Sequence, residues 1–212
     1  MAGILDLLNS DLGKQIVSGV AGSTGTDSSK TSSVLTMALP LLMKGMERNA
    51  ATPEGAAGLM GALSGKHDGS ILDNLGGLFG GGVDESVKQD GAGILGHILG
   101  SKQSGVEQII GQKSGLDAST VSTILKVAAP LVMGYLGKQK NEQNISSSGD
   151  ITGLLGGLLG GSSDTAEQSF LEKMLDADGD GSVIDDVAGM FLSGDKKESG
   201  GLGGMIGGLF GK

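Results

Sequence analysis

Apolar residues run through this chain in blocks separated by glycine-rich or polar stretches. In Val34–Met46 nearly every position is apolar. Such a block predicts a helix buried on most of its sides. Asp27 and Asp117 precede the two longest blocks, where a helix N-cap is expected. Pro40 and Pro130 fall inside them and are expected to kink or split each helix. Thr52-Pro53-Glu54 reads as a helix start with proline at the first position. Ser70–Asp73 and Ser182–Asp185 resemble capping boxes with Asp in place of Glu. Period-two alternation is scarce, so no strand is predicted. The pattern predicts an all-α, multihelical protein.

The blocks repeat. Residues 27–46 align with 117–136 at an offset of 90, and eight of twenty positions are identical. "GIL" at 3–5 matches "GIL" at 93–95 at the same offset. "GLMGAL" at 58–63 matches "GLLGGL" at 153–158 at offset 95. "DGSILDNLGGLF" at 68–79 matches "DGSVIDDVAGMF" at 180–191 at offset 112, with six of twelve identical. Two tandem related helical units follow, at 3–80 and 93–192. Residues 81–92 read as a linker. Residues 193–212 read as a low-complexity, Gly-rich tail, disordered or ordered only by a partner.

"HDGSILDNLGGLFG", "GAGILGHILG", "SGLDASTVSTILKVAAPLVMGYLGKQ" and "LDADGDGSVIDDV" together resemble the YidB-like bacterial family, catalogued as domain of unknown function number 937. The resemblance spans most of 3–192. It implies an all-helical bacterial protein and brings no activity with it.

Composition narrows the function. The net charge of −9 argues against the basic face that a nonspecific nucleic-acid binder needs, so nucleic acid is not an expected partner. Cysteine is absent, which excludes disulfides and thiolate chemistry. No basic n-region precedes the first apolar residues, and no apolar run of about 18 residues is evident, so the expected location is cytoplasmic. Gly makes up 42 of 212 residues, about three times ordinary usage. In "GLLGGLLGG" (153–161) the leucines share one helical arc and the glycines the opposite one. This reads as a core helix whose glycine face admits a second helix. A membrane-surface role for such Gly/Leu helices is the sharper alternative, though the Lys/Arg-rich polar face is missing.

Catalytic motifs are not found. "GAGILG" (91–96) matches a dinucleotide-binding pattern but follows no predicted strand. His67 and His97 stand at non-equivalent places in the two units and read as packing or surface residues. Met37, Met43, Met46, Met60 and Met133 fit a core or an adaptable contact surface.

"LDADGDGSVIDDV" (175–187) carries the one chemical signal. An EF-hand loop needs oxygens at positions 1, 3 and 5, Gly at 6, a carbonyl at 7 and a bidentate Glu at 12. Starting at Asp176, the chain offers Asp176, Asp178, Asp180, Gly181 and the Ser182 carbonyl. Position 12 is Val187, so Asp185 or Asp186 must stand in for the Glu. "TAEQSFLEKML" (165–175) reads as a helix leading in, giving an EF-hand-like helix–loop–helix over 176–187. Unit 1 has Ser64, Lys66 and Asp68 at the places of Asp176, Asp178 and Asp180, and is expected to bind nothing. The expectation is a non-enzymatic structural or protein-interaction protein, partnered by itself as a homo-oligomer or by another protein. Calcium is the candidate cofactor, and a calcium-binding or calcium-sensing protein acting through 176–187 is the alternative function.

Overall fold

The computed structural model describes residues 3–160. The acidic loop, with Asp176, Asp178, Asp180, Ser182, Asp185 and Asp186, and the Gly-rich tail lie outside the described residues. Among the described residues the regular structure is entirely helical: α1 Ile4–Asn9, α2 Asp11–Thr24, α3 Ser28–Ala50, α4 Pro53–Ser64, a 3-10 turn Ser70–Asn74, α5 Leu75–Gly80, α6 Glu85–Leu99, a second 3-10 turn Gly100–Lys102, α7 Gln103–Ser114, α8 Ala118–Glu142 and α9 Ser148–Gly160.

The helix boundaries follow local chemistry. Asp27 accepts the Ser29 amide and opens α3. Asp117 accepts the Thr120 amide and opens α8. Thr52 caps α4 through the Gly55 amide, with Pro53 in the first turn. Gly25 and Gly115 close α2 and α7 in the left-handed conformation, at φ 65° and 67°. Beyond them Thr26 N–H bonds Ala21 O, and Leu116 N–H bonds Gly111 O, the six-residue closure that follows a left-handed glycine. The two capping aspartates, and the two left-handed glycines with their closing bonds, stand 90 positions apart. Ser147, 95 positions after Thr52, likewise receives the Asp150 amide at the start of α9.

The core is one contiguous cluster in which α3 and α8 are the longest members. Val34, Leu35, Ala38, Leu42 and Met43 are buried on α3; Ile124, Leu125, Ala128, Val132 and Met133 are buried at the matching places on α8. The two sets of shorter helices interleave. α2 packs on both α3 and α8, and so does α7; α9 lies on α3 and α4. Each buried Leu, Ile or Val contributes roughly 1.5–3 kcal/mol. These aliphatic contacts carry the fold in a chain without Trp.

Several expectations change. Pro40 and Pro130 split neither helix: α3 and α8 run through them unbroken. Both prolines are buried among neighbouring helices, which hold the flanking turns despite the lost donor. Residues 85–92, expected as linker, form the first half of α6. Gly91 explains it. A Cβ there would sit 1.8 Å from the Lys126 carbonyl oxygen, so α6 lies directly on the α8 backbone and gains its stability from that packing. The capping box at Ser70 is not used, because Asp68 accepts the Ser70 amide at 3.0 Å instead. On α9, Leu154, Leu155 and Leu158 of the leucine arc are buried and Leu159 is half-buried, with Ile151 buried beside them. Among the described residues no second helix lies against the glycine face. A Cβ on Gly153 or Gly160 would meet nothing within 4 Å, and one on Gly156 would meet only Glu47 Oε1, at 3.8 Å. Finally, α8 is long and apolar enough to cross a membrane by length and composition, with a window of mean hydropathy 1.3. In the bundle 72% of that window is buried, as suits a core helix.

Candidate functional site: the connector seated on α8

After α4 the chain turns at Gly65, runs to the 3-10 turn, and lies down on α8. The His67 amide bonds the Ala62 carbonyl, which holds the first turn of this connector to α4. Asp68 then bends the chain. Its carboxylate takes the Ser70 amide, and hydrogen bonds from Ser70 hold its pKa below the usual carboxylate value. Gly69 adopts φ 110°, in the left-handed half of conformational space that side chains rarely occupy. Its missing Cβ would stand 3.1 Å from Lys138 Cβ.

Two glycines on α8 make the seat. A Cβ on Gly137 would lie 1.8 Å from the His67 carbonyl oxygen, and one on Gly134 would lie 2.4 Å from Ile71 Cγ2. At Gly137 no side chain fits without moving the connector backbone, and at Gly134 the Ile71 side chain would have to shift. Asn141, one turn further along α8, donates its Nδ2 to the Asp68 carbonyl at 3.0 Å. Leu72 and Leu75 complete the seat as buried apolar anchors.

Charged groups pin the other side. α6 presents Asp90 one residue before its contact with α8. Lys66 Nζ lies 2.7 Å from Asp90 Oδ1, and His67 Nε2 lies 3.6 Å from Asp90 Oδ2. His67 is only 6% exposed. Burial depresses its pKa, Lys66 adds to the depression, and Asp90 partly opposes it. The ring is held neutral beside a carboxylate already engaged by Lys66. An imidazole beside a carboxylate resembles part of a general-base device. Among the described residues, however, no hydrogen bond joins the His67 ring to a hydroxyl. What the arrangement does is fasten the connector to α6 and α8.

The positions aligned with the acidic loop thus have definite roles in unit 1. Ser64 ends α4, Lys66 pairs with Asp90, and Asp68 caps the 3-10 turn. Among the described residues no three His, Cys, Asp or Glu side chains gather as a metal site. His97, the second histidine, is exposed, and its carbonyl accepts Asn49 Nδ2 at 2.8 Å. Gly134, Gly137, Asn141 and Asp90 were not marked by sequence. A signal existed for the glycines: at offset 90 they face Lys44 and Glu47, residues of a solvated surface.

No curated protein and no solved structure matches the chain. The family model for a bacterial protein of unknown function (DUF937) matches residues 6–139. That stretch includes α2 to α7, the connector and the seat on α8. It stops before α9 and the acidic loop. Because the match covers more than half of the 212 residues, the chain belongs to this bacterial family of unknown function, DUF937.

Proposed function

We propose that the protein is a non-enzymatic interaction module that self-associates through the glycine faces of α4 and α9. The observation behind this reading is that the glycines there serve no contact within the described residues. A Cβ on Gly58, Gly61, Gly153 or Gly160 would meet nothing within 4 Å. Each interior glycine costs a helix roughly 1 kcal/mol relative to alanine. α4 and α9 pack on each other, so their bare backbones belong to neighbouring helices. A helix from a second copy can approach such a surface closely. Light scattering from micromolar to millimolar protein tests the reading. The mass should rise with concentration in the wild type, and Gly61→Leu with Gly153→Leu should hold it at that of the monomer. A wild-type chain that stays monomeric throughout this range overturns the proposal.

A second reading concerns calcium at Asp176, Asp178, Asp180, Ser182, Asp185 and Asp186. It is favoured by the exchange of Ser64 and Lys66 in unit 1 for Asp176 and Asp178 in unit 2. Carboxylates at alternate positions repel one another without a cation. With no Glu at position 12, the affinity expected is roughly 10⁻⁴–10⁻³ M. Calorimetric titration should show heat in the wild type, none in Asp178→Ala, and undiminished heat in Asp68→Ala. A wild type silent at millimolar calcium leaves Asp180 as a helix cap, the role Asp68 has in unit 1.

A further inference from the structure

Two segments lie on α8 and hold each other. One is the connector, whose His67 carbonyl rests against Gly137. The other is the first half of α6, where Gly91 rests on the Lys126 carbonyl. Pro130 stands four residues after Lys126 and has no N–H to offer that carbonyl, so α6 touches down on a notch in the α8 backbone. Neither segment is strongly built. Of residues 85–92 only Gly91 is buried, and the connector has one 3-10 turn, Ser70–Asn74, as its regular structure.

Asp90 of α6 joins the two. One carboxylate oxygen takes Lys66 Nζ and the other faces His67 Nε2. Burial lowers the His67 pKa more than Asp90 raises it, and Lys66 adds to the lowering. The other charged groups nearby are engaged or distant. Asp68, next to His67 on the connector, holds the Ser70 amide. Glu85 and Lys88 of α6 pair with each other. α8 brings Lys138 against Gly69 and Lys140 beside Asn141. α4 carries one charge, Glu54, at its far end. A protonated imidazole is far more stable in water than in a buried site. His67 therefore takes a proton most readily when the connector has left its seat.

We infer that the connector and the first half of α6 form one acid-released latch on α8, opening together when His67 takes a proton while the rest of the bundle stays closed. Opening uncovers Gly134, Gly137 and the Lys126 carbonyl, a strip of bare α8 backbone. It leaves α2, α3 and α7 packed on α8.

Hydrogen exchange of the full chain, corrected for the intrinsic rate at each pH, tests this. The hydrogen-bonded amides of His67 and Leu72 and those of residues 88–92 should share one protection. It should be lower than that in the middle of α3, because the latch opens without the bundle. In urea below the unfolding transition the latch amides should accelerate less than those of α3, since opening exposes less surface. Between pH 7.5 and 5.5 the shared protection should fall. Below the ordinary histidine value of 6.5 the fall should reach up to about tenfold per pH unit, the limit for uptake of one proton. His67→Gln should remove this dependence from both segments, and His97→Gln, at the exposed second histidine, should leave it intact. Asp90→Asn cuts the tie, so the connector alone should remain pH-dependent. Equal protection and equal urea response in the latch and in α3 mean that His67 meets water only on global unfolding, and overturn the inference. So does protection that is the same at pH 7.5 and 5.5, or a pH dependence that survives His67→Gln. If both segments of Asp90→Asn still respond together, Asp90 is not the tie and the single latch is refuted.

Discussion

α3 and α8 begin alike and end differently. Both open on a capping Asp, carry a buried Pro thirteen residues later and bury matching aliphatic faces. Yet α8 also buries Val127, Leu131, Gly134 and Gly137, where α3 has Met37, Leu41, Lys44 and Glu47. Lys44 and Glu47 form an exposed ion pair at 2.8 Å, the ordinary furniture of a solvated helix face. The difference lies in the neighbours. α8 is covered by the fifteen residues of α6 and by the connector, whereas α1, in the place of the second half of α6, has six. One helical pattern serves as a half-covered helix in one place and a fully covered one in the other, and glycines mark the extra contact.

The largest test of this contrast exchanges the two surfaces. Gly137→Glu puts the residue of α3 into the seat on α8, against the His67 carbonyl. It combines overpacking with a carboxylate forced towards buried backbone and should cost about 3 kcal/mol or more. The reverse change, Glu47→Gly, should cost only about 1 kcal/mol through helix propensity and the lost exposed pair. Urea unfolding measures both. Equal effects would mean that the connector is not held as described.

A smaller test uses a position where the two helices differ inside the core. Thr31 is fully buried and, among the described residues, its hydroxyl has no hydrogen-bond partner. The matching residue on α8 is Val121, equally buried. An unpaired buried hydroxyl costs about 1–3 kcal/mol. Thr31→Val should therefore raise stability by about 1 kcal/mol, and Val121→Thr should lower it by at least as much. If Thr31→Val destabilises, the hydroxyl has a partner after all.

How far the sequence revealed this arrangement depends on the range of the interactions. Asp27, Asp117 and Pro53 act within one turn of themselves, and their roles were legible from neighbouring residues alone. The first half of α6 was not. Its "DESVKQDG" has few apolar residues, and its helix rests on the α8 backbone through Gly91. Ser70 looked like a cap because of Asp73, but Asp68 reached its amide first from two residues upstream. The glycine arc of α9 was legible and its neighbours were not, because periodicity reports which residues share a face and not what that face meets. The connector seat was missed for the same reason. Gly134 and Gly137 gain meaning only once the connector is known to return to α8.

His67 links the seat to pH. Its folded-state pKa lies below the ordinary 6.5, chiefly because of burial. Above 6.5 the ring is neutral in both folded and unfolded chains, and its contribution to stability is fully present. As pH falls below 6.5 the unfolded chain takes up a proton first, so stability declines until the folded-state pKa is reached. Asp90 opposes the shift and Lys66 reinforces it, so Asp90→Asn should steepen the loss and Lys66→Met should soften it. Denaturation midpoints between pH 7.5 and 5 would show this. A midpoint with the same pH slope in His67→Gln and the wild type would remove His67 from the account.

The smallest expected effect separates the two capping aspartates. Asp117 receives the Thr120 amide at 2.9 Å, the Thr120 hydroxyl at 2.6 Å and the Ser119 hydroxyl. Asp27 receives the Ser29 amide at 2.7 Å and the Ser29 hydroxyl at 2.5 Å. Hydrogen bonds to the charged form lower both pKa values, and Asp117 the further: hydroxyls of Ser119 and then Thr120 act on it, and Ser29 acts on Asp27. A carboxylate whose pKa is depressed by folding contributes stability above its unfolded value, near 3.8. That contribution is lost as pH falls through the folded value. Asp117→Ala should therefore lower Tm at pH 7 more than Asp27→Ala does. Both differences should fade as pH falls below the unfolded value, near 3.8, and that of Asp27 should fade out first, because its folded-state pKa is the less depressed. Both groups lie in water, so the gap between the two variants will be small, and thermal scans at several pH values are needed to read it. A larger loss from Asp27→Ala would mean that α3, with its less covered face, depends more on its cap than hydrogen-bond number implies.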